Sequence, residues 1–299
     1  MRRCIWSRIR DHALEDKWKV GIIEASFKDV LAGNYSIRYI SSDYSEGWFA
    51  DPFVLDVSPD TITLLVEEFS YSRKRGGISK LVVRRSDMKL LSVSAVLSAD
   101  THLSFPALAR DRDRLLIYPE NSYAGHLDIY EQDEKTELFV LRDQLMDIPA
   151  VDAVLFEHKG ERYLSCTLPE DHSGSLLHIF KMNPSGGFAP FQNVRFDRNV
   201  ARNAGAWFES EGRLYRPAQD CSRTYGGAVI IQEVTIDDSG FRFDDCCRIV
   251  STDADYSKGC HTFNGVDGVY AVDAKTYRRP LQAAVMNLSM FRKLFVQKR

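Results

Sequence analysis

The sequence lacks the features that mark several common protein classes. No apolar run approaches the roughly 20 residues that a membrane-spanning helix requires. The basic start of the chain is not followed by the apolar stretch of a secretory signal. The six cysteines show no CxxC spacing, so a zinc site is not indicated. The net charge of −3 gives no reason to expect a nucleic-acid partner. These absences favour a reduced, cytoplasmic protein.

Five segments of the chain share one pattern of residues. Each has a small or polar opening, an apolar run, a short turn and a second apolar run, and the openings lie 46 to 56 residues apart. The segments are ADPFVLDVSPDTITLLVEEF (50–69), FPALARDRDRLLIYPE (105–120), DAVLFEHKGERYLSCT (152–167), AGAWFESEGRLYRPAQD (204–220) and HTFNGVDGVYAVDA (261–274). Two alternating runs around a turn such as EHKGE or ESEG predict a hairpin. More strand-like sequence follows most of the hairpins.

Five such units predict an all-β protein, a five-bladed β-propeller with a short C-terminal helix. We expect one domain over residues 1–299, with the propeller at about 18–280 and a helical tail at about 281–299. The helical candidates are SFKDVLAG and LQAAVMNLSMFRKLF.

The openings of the repeats indicate where a binding site lies. In a propeller the first strand of each blade lines the central channel, so residues at equivalent openings converge on the axis. Asp51, Asp152 and His261 stand at such openings and are expected to face a common space. Each also has a structural explanation: Asp51 as a turn or hydrogen-bonding residue, Asp152 as a tie between blades, and His261 as a ligand of buried carbonyls or water.

The second strands add polar residues near the same region. Glu67 and Glu68 are adjacent and face opposite sides of a strand, so at most one points into a site, and we select Glu68. Glu120 is a further acidic candidate. The expected sugar-binding residues are Trp48, Arg202, Gln219, Asp220, Tyr225 and His261. Salt bridges between blades would explain Arg202 and Asp220 equally well, a core position would explain Trp48, and a turn would explain Tyr225.

Several of these stretches resemble a known family. ADPF, DAVLFEHKGERYL, the RNAG…GRLYRPAQD…YGG block and HTFN…DGVYAVD look like the five-bladed propeller domain of glucosamine inositolphosphorylceramide transferases and related bacterial proteins. That domain is in turn similar to the family 43 glycoside hydrolases. The resemblance covers about residues 18–275, and its most specific part is the long block that begins at ARNAGAWF.

The resemblance implies roles for individual residues. Asp51 matches the general base of the hydrolases, and His261 matches an axis histidine that holds a water or a calcium ion. The second-blade aspartate of the hydrolases is replaced by Phe105-Pro106, while Asp152 appears on the third blade. The acid has no clear motif match, so Glu120 and Glu68 are both candidates. No cofactor is expected, and a metal ion or water near His261 stays open.

The expected function is therefore carbohydrate chemistry. We expect a protein that cleaves or transfers a glycosyl group in cell-surface glycan or glycolipid metabolism, including polysaccharide biosynthesis. The alternative is a non-catalytic glycan-binding or scaffolding propeller that works with a separate glycosyltransferase. The C-terminal helix, which mixes apolar and basic residues, could contact a membrane surface or such a transferase, although packing on its own domain explains it as well.

Overall fold

The computed structural model describes residues 15–171, 174–238 and 240–278. Its strands form five four-stranded antiparallel sheets, which we number as blades 1 to 5. Blade 1 contains β3 (Gly47–Val57), β4 (Thr61–Ser70), β5 (Arg75–Arg84) and β6 (Lys89–Leu97). Blade 2 contains β7 (Leu108–Asp111), β8 (Arg114–Ile117), β9 (Leu127–Gln132) and β10 (Phe139–Met146). In blades 1 to 4 the strands are ordered as they follow in the chain.

Blades 3 and 4 repeat this arrangement, and blade 5 joins the two ends of the described chain. Blade 3 contains β11 (Val151–His158), β12 (Glu161–Thr167), β13 (Leu176–Met182) and β14 (Phe188–Arg195). Blade 4 contains β15 (Phe208–Ser210), β16 (Arg213–Asp220), β17 (Ala228–Asp237) and β18 (Gly240–Ile249). Blade 5 contains β19 (Phe263–Val266), β20 (Val269–Arg278), β1 (Glu15–Glu24) and β2 (Arg38–Tyr39).

The predicted five-bladed propeller is confirmed. The ring is closed by β1, which pairs with β20 from Glu15↔Arg278 to Glu24↔Val269. Such closure lets an antiparallel fold avoid exposed sheet edges at the junction of its ends. The pairing of β1 with β20 was not part of the sequence prediction.

The turns between inner strands follow from the sequence. Lys159–Gly160, Glu211–Gly212 and Asp267–Gly268 join the first two strands of blades 3, 4 and 5, and all six residues have positive φ. Two consecutive residues with positive φ form the type I′ turn, whose twist matches the flanking strands and which glycine accommodates without strain. The first two of these turns lie in the EHKGE and ESEG stretches from which hairpins were predicted, and the third lies in the fifth repeat.

Helical structure is sparse among the described residues. Helix α1 (Phe27–Leu31) begins after Ser26, whose hydroxyl accepts a hydrogen bond from the Asp29 N–H, so the predicted SFKDVLAG helix is confirmed as one short helix. A 3₁₀ turn occupies Ser122–Ala124. No helix in the described part of the chain is long and apolar enough to cross a membrane. The predicted C-terminal helix and its contacts lie outside the described residues.

Apolar side chains fill the spaces between neighbouring blades. One cluster joins blades 2, 3 and 4 around Phe156, whose ring stacks on Trp207 at 3.9 Å between centroids. Another joins blades 5 and 1 around Ile22 and Leu64, which are fully buried. Burial of such surfaces is the main favourable contribution to folding. The packed seams hold the inner strands, and the polar residues at their openings, in fixed positions around the axis.

Candidate functional site

Three blade openings adopt the same unusual backbone conformation. Asp51, Phe105 and Asp152 have φ values of 48°, 45° and 48°, in the left-handed region that residues other than glycine seldom occupy. All three are buried. Backbone strain of this kind persists only where surrounding contacts enforce it, and it concentrates at functional sites. The equivalence of these openings, inferred from the repeat, is therefore visible in the backbone itself.

The strained openings are linked by hydrogen bonds that pass from blade to blade. The Asp51 N–H donates to Asp273 Oδ2 at 3.3 Å, and the Phe105 N–H donates to Asp51 Oδ2 at 3.0 Å. The Asp152 N–H donates to Glu120 Oε2 at 3.1 Å. Each amide is thus satisfied by a carboxylate of the preceding blade around the ring. Carboxylates consequently gather at the axis.

Of these carboxylates, Asp51 and Glu120 open onto a cavity of about 570 Å³ that is lined from several blades. Its charged walls are formed by side chains from several blades. The lining includes Asp51, Glu67, Glu120, Asp152, Arg202 and Tyr225. A cavity of this size suits a small ligand, and polar groups converge on it from several elements.

Asp51 lies in the wall of the cavity with both carboxylate oxygens engaged. Its Oδ1 accepts a hydrogen bond from Thr262 Oγ1 at 3.0 Å, and its Oδ2 accepts the Phe105 N–H. Burial raises the pKa of Asp51 to about 6, with His261 opposing the rise and Asp273 and Asp152 adding to it. Asp51 therefore changes its protonation state in mildly acidic solution.

Asp152 has a different set of partners at the equivalent position. Its Oδ2 accepts hydrogen bonds from Arg202 Nε at 2.7 Å and from Gln219 Nε2 at 2.9 Å. Its backbone carbonyl accepts one from the Asn203 amide. Arg202 also lies above the Tyr225 ring, with its guanidinium carbon 5.1 Å from the centroid. Asp152 is thus neutralised and oriented by its neighbours, and Gln219 is buried and acts through Asp152.

Glu120 follows the second strand of blade 2 and borders the cavity beside Asp152. Its Oε2 accepts the Asp152 N–H, its Oε1 accepts Ser122 Oγ at 3.2 Å, and Arg202 NH2 lies 3.8 Å away. Burial raises the pKa of Glu120 to about 8, Asp152 raises it further and Arg202 opposes the rise. Glu120 is therefore protonated in neutral solution, whereas Asp51 is ionised.

The structure corrects the choice between Glu67 and Glu68. Glu67 lines the cavity, whereas Glu68 points away from it and accepts hydrogen bonds from Tyr44 and Ser79. The two do face opposite sides of β4, as alternation requires. Both sides of this strand are buried, so the sequence pattern could not tell which side faced the axis. Glu68 is consequently a structural residue and not a candidate acid.

His261 lies in a buried layer behind Asp51. Its Nδ1 is 2.6 Å from Asp273 Oδ2 and 3.6 Å from Asp51 Oδ1, and its ring stacks on Trp18 at 3.8 Å. Burial acts to lower the pKa of His261, but Asp273 and Asp51 outweigh it and the pKa is raised. His261 does not line the cavity, so its effect on a ligand would pass through Asp51.

The same layer has the chemistry of a cation site. Among the described residues, Asp51, His261 and Asp273 form the one cluster whose potential ligand atoms lie within 4.8 Å of each other. Asp273 Oδ1 already accepts hydrogen bonds from the N–H groups of His261 and Thr262. These backbone N–H groups fix the Asp273 carboxylate beside His261. An ion or water at the axis stays a prediction.

Four of the six predicted sugar-binding residues do not line the cavity: Gln219 and His261 contact Asp152 and Asp51, and Trp48 and Asp220 have other partners. Trp48 stacks on Phe69 at 4.8 Å and borders a separate groove. Asp220 pairs with Arg248 at 3.1 Å and accepts the Ser222 N–H. Asp220 and Arg248 lie on β16 and β18 of the same blade, so this pair is not the salt bridge between blades that was expected as the alternative. Tyr225, by contrast, lines the cavity and is 43% exposed, with Arg202 Cζ and Lys275 Nζ each 5.1 Å from its ring centroid.

Four site residues were not selected from the sequence. Glu67 and His102 line the cavity, and Thr262 and Asp273 contact Asp51 or its backbone. Thr262 follows the candidate His261, and Asp273 stands in the YAVDA strand of the fifth repeat, so repeat alignment offered a signal for both. His102 lies in a connection between blades, where the repeat gives no guidance.

Comparison with known proteins identifies the family. Residues 36–287 match the family described as the N-terminal region of glucosamine inositolphosphorylceramide transferase 1. The chain belongs to this family. The protein of that name from Oryza sativa subsp. japonica is 29% identical over 201 residues, which are 64% of this chain and 27% of the rice protein. The Arabidopsis thaliana protein is 27% identical over 211 residues, 66% of this chain and 27% of the relative. The match therefore spans about a quarter of the relatives' length.

Comparison with solved structures confirms the propeller fold of this chain. A GH43 β-xylosidase/α-arabinofuranosidase from a compost metagenome has a TM-score of 0.53 at 11% identity, covering 80% of this chain and 93% of its own. A GH43_1 enzyme from Xanthomonas citri has a TM-score of 0.53 at 11% identity, covering 79% and 88% respectively. At this identity the likeness shows the propeller architecture alone.

Proposed function

We propose that the propeller binds a glycosyl group in its central cavity and cleaves or transfers it. The observation that carries this proposal is that Asp51 and Glu120 line one cavity while their surroundings set their pKa values at about 6 and about 8. Two carboxyls with separated pKa values supply a base and an acid at the same pH. The names of the plant relatives support a glycolipid or surface glycan as the setting.

In the proposed reaction Asp51 removes the proton from an attacking O–H group, which belongs to water in cleavage or to an acceptor in transfer. The oxygen attacks the anomeric carbon as the bond to the leaving oxygen breaks, and Glu120 donates its proton to that oxygen. An inverting course places the two carboxyls about 6.5–9.5 Å apart on opposite sides of the sugar. Asp152, held by Arg202 and Gln219, positions Glu120 through its N–H.

One observation favours the second candidate, a propeller that binds glycans without chemistry. Both oxygens of Asp51 already accept hydrogen bonds from protein groups, as a structural carboxylate would. The same cavity would then present Tyr225 and Arg202 to a sugar that another protein modifies. This reading predicts sugar binding with no turnover by any form of the protein.

Turnover of a panel of aryl glycosides, together with binding measured by saturation-transfer NMR, separates the two functions. We expect Asp51→Asn and Glu120→Gln to abolish turnover. Asp51→Asn should leave the melting temperature nearly unchanged, because an amide can still accept the Phe105 N–H and donate to Thr262 Oγ1. Asp220→Asn is the matched control, because it makes the same chemical change at an aspartate that lies outside the cavity and pairs with Arg248. An active Asp51→Asn protein would rule out the proposed mechanism.

A further inference from the structure

Lys275 of β20 is a buried lysine that the proposed reaction does not use. Its side chain is 1% exposed, and its ammonium group donates a hydrogen bond to the backbone carbonyl of Tyr225 at 2.6 Å. The ion pair that it forms with Asp16 Oδ2 is longer, at 3.6 Å, and the Asp16 side chain is 36% exposed. A buried ammonium group is costly unless its donors are paired. The hydrogen bond to Tyr225 is therefore the main directed contact of this charge.

Three aromatic rings surround the same ammonium group. Its Nζ lies 5.2 Å from the ring centroid of Trp18, 5.1 Å from that of Tyr225 and 5.6 Å from that of Tyr277. A cation within about 6 Å of an aromatic ring is attracted to it, and more strongly where water is excluded. Trp18 stands opposite Lys275 in the pairing of β1 with β20. The two strands that close the ring therefore hold this ammonium group beside Tyr225.

Gly226, which follows Tyr225 in the loop between β16 and β17, is also fixed by contacts with blade 5. Its carbonyl accepts the Cys260 N–H at 2.9 Å. Gly226 has a φ of 59°, and a Cβ there would lie 2.8 Å from His261 Cβ and 3.0 Å from Trp18 Cη2. Only glycine combines this backbone conformation with so close an approach. The position of the loop is therefore set by blade 5, although the loop belongs to blade 4.

Tyr225 extends this arrangement into the cavity wall. Its side chain lines the cavity, where the guanidinium carbon of Arg202 lies 5.1 Å from its ring centroid. Its ring also meets the His261 ring edge-on at 5.5 Å. The Cα of a residue lies in the plane of its own carbonyl, so a fixed carbonyl also fixes where the side chain leaves the backbone. The Lys275 hydrogen bond therefore limits where the Tyr225 ring can stand.

We propose that Lys275 is a positioning residue for the central site, which holds the Tyr225 ring in place to contact a bound glycosyl group. This inference rests on the proposed function, because it takes the ligand of the cavity to be a glycosyl group. Lys275 does not line the cavity, so it acts through Tyr225 and touches no reacting atom. Its contribution to binding consequently depends on the presence of the Tyr225 ring.

Isothermal titration calorimetry of the full chain with xylose, glucose and galactose tests this dependence. We expect Lys275→Met to weaken binding of the best-bound sugar about threefold or more, as loss of the Tyr225 ring does. In a Tyr225→Ala background the same change should alter affinity by less than about twofold. Lys181→Met is the matched control, because Lys181 Nζ lies 5.9 Å from the ring centroid of Tyr163, which does not line the cavity. It should leave sugar affinity unchanged.

Fluorine NMR of protein that carries fluorotyrosine follows Tyr225 without any ligand. The signal that is missing from Tyr225→Phe belongs to Tyr225, and we expect Lys275→Met to shift or broaden that signal while Lys181→Met leaves it in place. If Lys275→Met does not fold, nitrogen NMR of the unaltered protein serves instead. The Lys275 ammonium signal, assigned by its absence from Lys275→Arg, should then shift when sugar binds. A signal that stays in place in the sugar-bound protein would contradict the inference.

The outcomes separate this inference from the function on which it rests. An equal loss of affinity from Lys275→Met with and without the Tyr225 ring would indicate a general structural effect, and would overturn the inference while leaving the glycosyl site standing. A Tyr225 fluorine signal that does not respond to Lys275→Met would overturn it in the same way. Binding of none of the sugars counts against the proposed function, and the fluorine signal then still decides whether Lys275 positions Tyr225.

Discussion

Asp51 and Asp152 occupy equivalent openings of blades 1 and 3 with the same left-handed backbone, yet their surroundings differ. Asp152 accepts hydrogen bonds from a guanidinium and an amide, which fix its orientation. Asp51 faces a hydroxyl and a backbone N–H, with the imidazole of His261 further away. The repeat places a carboxyl at both openings, and residues from other blades decide which groups hydrogen-bond to it.

The largest expected difference between the two positions is in stability. Arg202→Met leaves the Asp152 carboxylate buried with no cation beside it, and we expect a loss of about 2 kcal/mol in the free energy of unfolding, reduced from the value for a dry pair because the cavity admits water. Thr262→Val, which removes the hydroxyl at Asp51, should cost about 1 kcal/mol. Urea unfolding measures both. A larger loss for Thr262→Val would reverse the comparison.

The pH profile of turnover tests the protonation states that the mechanism assigns to Asp51 and Glu120. The proposed mechanism requires Asp51 ionised and Glu120 protonated, which holds between about pH 6 and pH 8. The rate should therefore fall below pH 6 as Asp51 gains a proton and above pH 8 as Glu120 loses one, by about tenfold per pH unit on each side. Rates measured from pH 4 to pH 10 check this, and a rate that still rises above pH 9 would contradict the role of Glu120.

Single substitutions should shift the two limbs of that profile separately. Thr262 stabilises the ionised form of Asp51, so Thr262→Val raises the pKa of Asp51 and moves the acidic limb upward. Arg202 lowers the pKa of Glu120, so Arg202→Met moves the alkaline limb upward. We expect shifts of less than about one pH unit. If either variant moved both limbs equally, the two limbs would not report the separate ionisations of Asp51 and Glu120.

The smallest effect is expected at an aromatic residue outside the cavity. Trp48→Ala should leave sugar affinity within about twofold of the unaltered protein, because the ring lies against Phe69. Tyr225→Ala, at a ring that lines the cavity, should weaken binding about threefold or more. Titration of both variants with the best-bound sugar provides the measurement. A stronger effect at Trp48 would relocate the site to its groove.

The architecture could be predicted because the same pattern of two apolar runs around a turn occurs five times in the sequence. Turn dipeptides such as Lys159–Gly160 gave the inner hairpins, and the common spacing gave their equivalence. The closing strand β1 was missed because its partner β20 lies at the opposite end of the sequence, and local patterns carry no information about such pairing. Only the geometry of a closed ring demands it.

The candidate site residues at the blade openings could be predicted from the sequence, whereas the other site residues were harder to predict. Asp51 and Asp152 followed from the repeat, whereas the facing of Glu67 depended on which side of a doubly buried strand met the axis. The prediction of Asp220 as a sugar-binding residue met a related difficulty. Neighbouring residues of a strand face opposite sides, so Asp220, which follows Gln219, pairs with Arg248 outside the cavity. Partners such as Thr262 and Arg202 come from distant blades, and sequence cannot show which blade's side chain reaches which carboxyl.

Ring closure has a consequence for the order in which the molecule is assembled. Two of the contacts that engage Asp51 come from Thr262 and Asp273, which belong to the last blade, and that blade is complete only when β1 meets β20. A chain emerging from the ribosome can form blade 1 early, but its carboxyl acquires its final neighbours last. Long-range pairing of this kind is slow relative to hairpin formation. The appearance of ligand binding during refolding would therefore time the final step of folding.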